Sequence, residues 1–170
     1  MRPLAPIRRE LLITGVGGVV IGLAGQVGAF AAGAGFAAAV LPFLMLAALF
    51  GLIQYRTGHR WLLTAAAEAP DAPPEAEVEP GGRTRLRLSL TLLVWAALVV
   101  VALIGSPAIA SPVGGVIFGI ALIDLRGAVE VEKYRGEGAE IMREVGPTWI
   151  AGGRRPLYRL SVAALRQARS

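Results

Sequence analysis

The chain contains no cysteine and only one histidine, His59, among its 170 residues. Without cysteine it has no disulfide, no thiolate metal site and no cysteine nucleophile. A single histidine without clustered carboxylates is a poor metal site, so we interpret His59 as a solvated residue in a basic stretch. The sequence therefore predicts no metal ion and no catalytic residues.

Charge is missing from two long stretches, which run from Leu11 to Tyr55 and from Leu88 to Ile123. One bilayer crossing takes about 20 apolar residues, so the first stretch is long enough for two crossings and the second for two short ones. The composition agrees, because 55% of the residues are hydrophobic and membrane helices use glycine freely. The sequence predicts an all-α integral membrane protein with four transmembrane helices arranged as two hairpins.

The segment "LLITGVGGVVIG", residues 11–22, also resembles the phosphate turn of a dinucleotide-binding domain. The pattern G-x-G-x-x-G that starts at Gly15 needs a third glycine where Val20 stands. It also needs an acidic residue about 20 positions later, and none occurs between Glu10 and Glu68. We therefore expect no cofactor.

Glycine and proline near the middle of each stretch predict the turns. The first hairpin, 10–56, has helices near 10–32 and 36–56. The second hairpin, 86–125, has helices near 86–104 and 110–125. The last helix has about 15 uncharged residues, which cover roughly 23 Å of a core about 30 Å thick. A re-entrant second hairpin is therefore the alternative.

All 17 lysines and arginines lie in or directly beside three segments: a basic arm at 1–9, a linker at 57–85 that Arg56 and Arg87 flank, and a tail at 126–170. Cationic flanks stay on the cytoplasmic side, so both termini and the linker are expected in the cytoplasm and the protein in the plasma membrane. These cations flank apolar helices, and we expect no nucleic-acid partner. A cleavable signal peptide is the less favoured alternative, because the first apolar run is too long and a second one follows it at once.

Small residues follow one face of the first predicted helix at intervals of three and four. A second pair of glycines stands on the fourth helix. Such residues let membrane helices pack closely. The predicted packing positions are Gly15, Gly18, Gly22, Gly25, Gly115 and Gly119. The face of the first helix meets either another helix of this chain or a partner subunit, and Gln26 beside it is expected to hydrogen-bond to a neighbouring helix.

The linker is rich in alanine, proline and glutamate between Ala65 and Gly82, which predicts a flexible, solvated tether. The tail is expected to contain a basic amphipathic helix near 156–168. Such a helix lies on anionic lipid headgroups, and docking onto a partner protein is the alternative. The predicted membrane-surface residues are Arg154, Arg155, Arg159, Arg166 and Arg169.

No ionisable residue is expected inside the bilayer, because Asp124 and Arg126 mark the cytoplasmic edge of the fourth helix. Carriers and membrane enzymes usually place such groups within the membrane. We therefore expect a small non-enzymatic protein with a structural, accessory or regulatory role. Its expected partners are the lipid bilayer, anionic headgroups, and either another membrane protein or a second copy. The alternative is a homo-oligomeric channel or transporter for a neutral or apolar solute.

Overall fold

The computed structural model describes residues 3–145 and 155–163, and it is mostly helical. Four continuous helical stretches are long and apolar enough to span a membrane, as predicted. A π-helical turn, Tyr55–His59, joins the second helix to the third without a break. The elements in chain order are β1 (Leu4–Pro6), α1 (Ile7–Ala31), α2 (Phe36–Gln54), α3 (Arg60–Ala67), α4 (Gly81–Gly105), α5 (Pro107–Gly136), β2 (Ala139–Glu144) and β3 (Leu157–Ser161).

Helix α1 ends where the backbone of Gly33 adopts a positive φ of 88°. The Gly33 amide donates to the carbonyl of Phe30 and the Ala34 amide donates to that of Ala29. This pair of bonds satisfies carbonyls that the helix end would otherwise leave free. The turn between α1 and α2 therefore lies within the stretch of small residues, 31–35.

Helix α5 is longer than the predicted helix at 110–125, since it has 30 residues and spans about 45 Å. It begins at Pro107, because proline fits the first helical position, where an amide proton would have no partner. It continues past Asp124 and ends at Gly136, two residues before Gly138, whose positive φ of 83° turns the chain. The predicted limits of this helix were therefore too short, and the observed helix is long and apolar enough to span a membrane.

Helix α5 occupies the centre of the bundle, where it packs mainly against α1 and α2. Helix α4 packs against α1 and α5, whereas α1 and α2 touch each other only slightly. Gly115 and Gly119 lie beside Phe43 and Ala47, so α2 and α5 run in the same direction. The dominant contacts are thus between the two expected hairpins rather than within the first one.

The chain is not all-α, because three strands form an antiparallel sheet in the order β1-β2-β3. In this sheet Leu4 is opposite Glu144, and Met142 is opposite Tyr158. The helix predicted near 156–168 is wrong where it begins, since Leu157–Ser161 is a strand. Residues 164–168 of that helix lie outside the described residues.

Residues 68–80 of the predicted flexible tether, which we name the strap, are bonded to the sheet. At one edge of the sheet the Leu4 amide donates to the Glu77 carbonyl at 2.7 Å, and the Glu79 amide donates to the Leu4 carbonyl at 2.8 Å. At the other edge the Arg159 amide and carbonyl bond to the backbone of Pro70 and Ala72, at 2.7 and 2.8 Å. The strap therefore closes both edges of the sheet, which are otherwise open to pairing. The strands and the strap together form the cap.

The cap has an apolar layer on each side of its sheet, because successive side chains of a strand point to opposite faces. Ile141 and Leu157 belong to a cluster with side chains of α1, α3 and α5, including Ile7, Leu62 and Tyr134. On the other face, Leu4 and Met142 pack with Tyr158, Leu160 and the strap residues Ala72, Ala76 and Val78. The first layer joins the cap to the helices, and the second holds the strap on the sheet.

Candidate functional site: the junction between the helices and the cap

The small residues of α1 lie against α5 and α4 of the same chain. A Cβ atom on Gly15 would lie 2.7 Å from the side chain of Leu125, and one on Gly18 would lie 2.7 Å from Ala121 and from Trp95. Further along, Gly25 faces Val99 at 3.0 Å. All of these distances are shorter than an ordinary van der Waals contact. Gly15, Gly18, Gly22 and Gly25 therefore mark an interface within this chain.

Helix α5 has small residues on a second side, where it meets α2. A Cβ atom on Gly115 would collide with the carbonyl of Phe43, and one on Gly119 would collide with the carbonyl of Ala47. Because backbone faces backbone at both positions, no side-chain rotation would relieve the contact. The two glycines thus hold α5 directly against α2.

Polar side chains join three helices at the end of the bundle opposite the cap. The buried Ser111 hydroxyl of α5 lies 2.6 Å from the Gln26 side-chain oxygen of α1, and it also contacts the Ala39 carbonyl of α2. A hydroxyl has one proton, so Ser111 cannot donate to both oxygens. When the Gln26 amide is turned by 180°, its NH2 group donates to Ser111 and Ser111 donates to Ala39, which satisfies both contacts. The expected interhelical bond of Gln26 is present.

A buried ionic network joins the helices to the cap. Glu10 of α1, whose side chain is 3% exposed, accepts hydrogen bonds from Arg87 of α4 and Arg143 of β2. Arg87 also contacts Glu79 of the strap at 3.2 Å, and Thr84 donates to that carboxylate at 2.6 Å. Buried charges are tolerated only when they are paired in this way. The network links α1, α4, the strap and β2.

A second polar contact lies one helical turn further from the cap. The Thr14 hydroxyl of α1 donates to the half-buried carboxylate of Asp124 on α5 at 2.8 Å, and the side chain of Gln54 on α2 lies near the same carboxylate. Asp124 was predicted to lie at the aqueous edge. The structure instead encloses it among three helices, because α5 continues well beyond it.

His59 is not the solvated residue that the sequence suggested, because it is only 3% exposed. Its ring stacks on Tyr55, with 5.2 Å between the ring centroids, and its Nε2 atom lies 3.2 Å from the Glu130 carboxylate. Arg126 donates to the same glutamate at 2.8 Å and lies over the Tyr55 ring. The π-helical turn thus directs His59 inward, toward α5.

Of the predicted membrane-surface arginines, the structure describes Arg155 and Arg159, and both are half-buried. The Arg159 guanidinium donates to the Ala67 carbonyl at 2.8 Å and lies 5.6 Å from the centre of the Tyr134 ring, so it faces the helices. Arg155 is half-buried just before β3. Arg154, Arg166 and Arg169 lie outside the described residues.

A groove of about 450 Å³ lies on the outer side of the cap, between the strap and β3. Asp71, Pro73, Pro74 and Leu160 are among its lining residues. Within residues 3–145 and 155–163, no group of three or more histidine, cysteine or acidic side chains is placed to hold a metal ion.

Sequence reasoning missed the Glu10 network because its members are far apart in the chain. Glu10 is 77 residues from Arg87 and 133 residues from Arg143. Only the sheet brings Arg143 to Glu10, and its short strands have no strong period-two pattern. The one available signal was that Glu10 is the sole acidic residue in the basic segment before the first apolar stretch.

Comparison with family models, with curated proteins and with solved structures found no match for this chain.

Proposed function

We propose that this chain is a multi-pass protein of the plasma membrane with a structural, accessory or regulatory role, which it performs through helix packing and its cap. Both termini and the strap face the cytoplasm in this proposal. The cap then forms one folded cytoplasmic unit in which the arm, the strap and the tail meet.

The outer surfaces of the helices support membrane insertion. Large apolar side chains are exposed along α1, α2 and α4, among them Val20 (61%), Met45 (69%) and Leu93 (64%). Water-soluble proteins rarely expose continuous apolar surface of this size. Contact with lipid acyl chains removes the free-energy cost of exposing these side chains to water.

The buried Glu10 network is the observation that carries the accessory role. Two arginines, from α4 and β2, bind one carboxylate of α1, and this arrangement fixes the cap to the bundle. A solvated tail would need no such attachment. A cap held rigidly on a membrane anchor is suited to present its outer surface to a partner, since preorganisation lowers the entropic cost of binding.

Site-specific photo-crosslinking in cells tests this role. A photoreactive residue in place of Glu75, which is exposed on the strap, is expected to give one reproducible adduct with a different protein. Glu10→Gln should abolish that adduct by releasing the cap. The matched variant Arg126→Gln, which removes an exposed ion pair with Glu130, should leave it unchanged.

A photoreactive residue at Leu93, on the exposed face of α4, gives the second arm of the experiment. Adducts of this chain with itself at Leu93, together with none at Glu75, would contradict the accessory role. That result would favour the homo-oligomeric channel or transporter.

A further inference from the structure

The outward face of α2 and α3 carries a line of exposed apolar side chains that leads to two arginines. Met45, Leu49 and Ile53 are 69%, 49% and 46% exposed, and Arg56 and Arg60 continue the line toward the cap. Side chains four residues apart lie on one side of a helix. Arg56 follows Ile53 by three residues at the start of the π-helical turn, and Arg60 follows Arg56 by four, so both arginines stand at the cap end of this exposed surface.

Within the part of the chain that the structure describes, Arg56 and Arg60 have no acidic partner, as is also true of Arg83 and Arg85 on α4. Neither forms an ion pair or a side-chain hydrogen bond with any residue in the described ranges 3–145 and 155–163. Other arginines near the same level are engaged: Arg8 with Glu132, Arg87 and Arg143 with Glu10, and Arg126 with Glu130. Two adjacent exposed guanidinium groups are therefore left for an external anion.

We propose that Arg56 and Arg60 bind the phosphate of an anionic phospholipid headgroup, with its acyl chains along Met45, Leu49 and Ile53. This inference rests on the proposed membrane insertion. A guanidinium group donates paired hydrogen bonds to phosphate oxygens. The apolar line below the arginines supplies the lipid contact that a free phosphate would not use. The occupant is thus a lipid of the leaflet that faces the cap.

Helix α4 offers a matched control, because Arg83 and Arg85 are also exposed where its apolar face begins. They are two residues apart, so they point to different sides of the helix and cannot share one phosphate. Replacing them removes the same charge as replacing Arg56 and Arg60.

Native mass spectrometry of the full chain in detergent, titrated with phosphatidylglycerol or phosphatidylcholine, tests the site. R56Q/R60Q is expected to weaken phosphatidylglycerol binding by about tenfold to thirtyfold, the effect of losing two cations at an anionic surface. The loss should be smaller for phosphatidylcholine, because its choline cation offsets the charge of its phosphate. R83Q/R85Q should weaken phosphatidylglycerol binding by less than about threefold, since screened charges act weakly at a distance. Because all four side chains are exposed, the melting temperatures should match that of the unaltered protein.

Equal losses in the two double variants would overturn the site, because net charge alone would then explain the binding. An unchanged affinity in R56Q/R60Q would overturn it too, as would displacement of the lipid by an equal concentration of inorganic phosphate. Release of the protein from membranes by alkaline carbonate would instead defeat the proposed function, and the headgroup site with it. If the protein stays in the membrane in alkaline carbonate but shows no headgroup site, only this inference is contradicted and the proposed function stands.

Discussion

Gly22 of α1 and Gly114 of α5 face each other backbone to backbone. A Cβ atom on Gly22 would lie 2.7 Å from the carbonyl oxygen of Gly114, and one on Gly114 would lie 2.6 Å from that of Gly22. Each position excludes a methyl group because of the other residue's backbone. Gly114 did not stand out in the sequence, where Gly115 and Gly119 formed the more regular pattern.

Gly22→Ala and Gly114→Ala are each expected to destabilise the bundle by about 1–3 kcal/mol, the usual cost of overpacking. This result would oppose the intrinsic preference of helices for alanine over glycine, which is worth about 1 kcal/mol. Gly82→Ala, near the start of α4, is the control because no atom lies within 4 Å of its added methyl group. Thermal unfolding in detergent measures the three effects, and an equal response of all three variants would contradict the close approach.

Glu10→Gln is expected to destabilise the attachment of the cap by about 3–5 kcal/mol, since it leaves Arg143 without its counter-charge and Arg87 with Glu79 alone. The control Arg126→Gln breaks an exposed pair with Glu130 and should cost less than about 1 kcal/mol. Limited proteolysis checks the difference: in Glu10→Gln the strap should be cut readily, whereas in Arg126→Gln it should resist as in the unaltered protein. A strap equally resistant in both variants would show that the network does not hold the cap.

The amide protons of the strap and of the strands beside it are expected to exchange with solvent at two different rates. The amides of Ala72 and Glu79 donate to carbonyls of the strands, so they should exchange slowly, as should those of Leu4 and Arg159. The amide of Ala76 bonds only within the strap, to Pro73, and should exchange faster. Hydrogen exchange followed by NMR in micelles distinguishes the two groups. Uniformly fast exchange across 70–79 would restore the flexible tether predicted from composition.

The helices were predictable from the sequence because their signal is local. Uninterrupted apolar stretches and glycine-rich turns are read within about 20 residues, and α1 and α2 begin and end within a few residues of their predicted limits. The spacing of the small residues likewise singled out the face of α1 that meets α5. That Gly15, Gly18 and Gly22 would meet a helix of this chain, and which one, did not follow from spacing.

The cap was not predictable, because its stability comes from contacts between distant segments. Leu157–Ser161 alternates between two apolar layers, yet its leucines also fit a helical spacing, so the short segment did not reveal its own structure. The strap reads as disordered by composition. It is held by backbone bonds to β1 and β3, which a scan for buried side chains does not detect. His59 was misjudged for the same reason, since Glu130 approaches it only when α5 packs beside the π-helical turn.

Ser111→Ala is expected to destabilise the bundle by about 0.6–2 kcal/mol, the range for hydrogen bonds between membrane helices. Ser111 bonds toward both α1 and α2, so its loss leaves the Gln26 side chain without this buried partner. Ser89→Ala, an exposed serine of α4, is the control and should have no measurable effect. Thermal unfolding of both variants in the same detergent makes the comparison, and equal melting temperatures would contradict a role for Ser111 in joining the helices.

The central claim is that four helices cross the plasma membrane and place the cap in the cytoplasm. The chain has no native cysteine, so single cysteines can be labelled without background. Glu75→Cys reports on the cap, and Ala32→Cys reports on the turn at the opposite end of the bundle. Both positions are exposed. With a membrane-impermeant maleimide, Ala32→Cys should be labelled in intact cells and Glu75→Cys only in inverted vesicles. Labelling of both cysteines from the same side, or of Glu75→Cys from outside intact cells, would contradict the account.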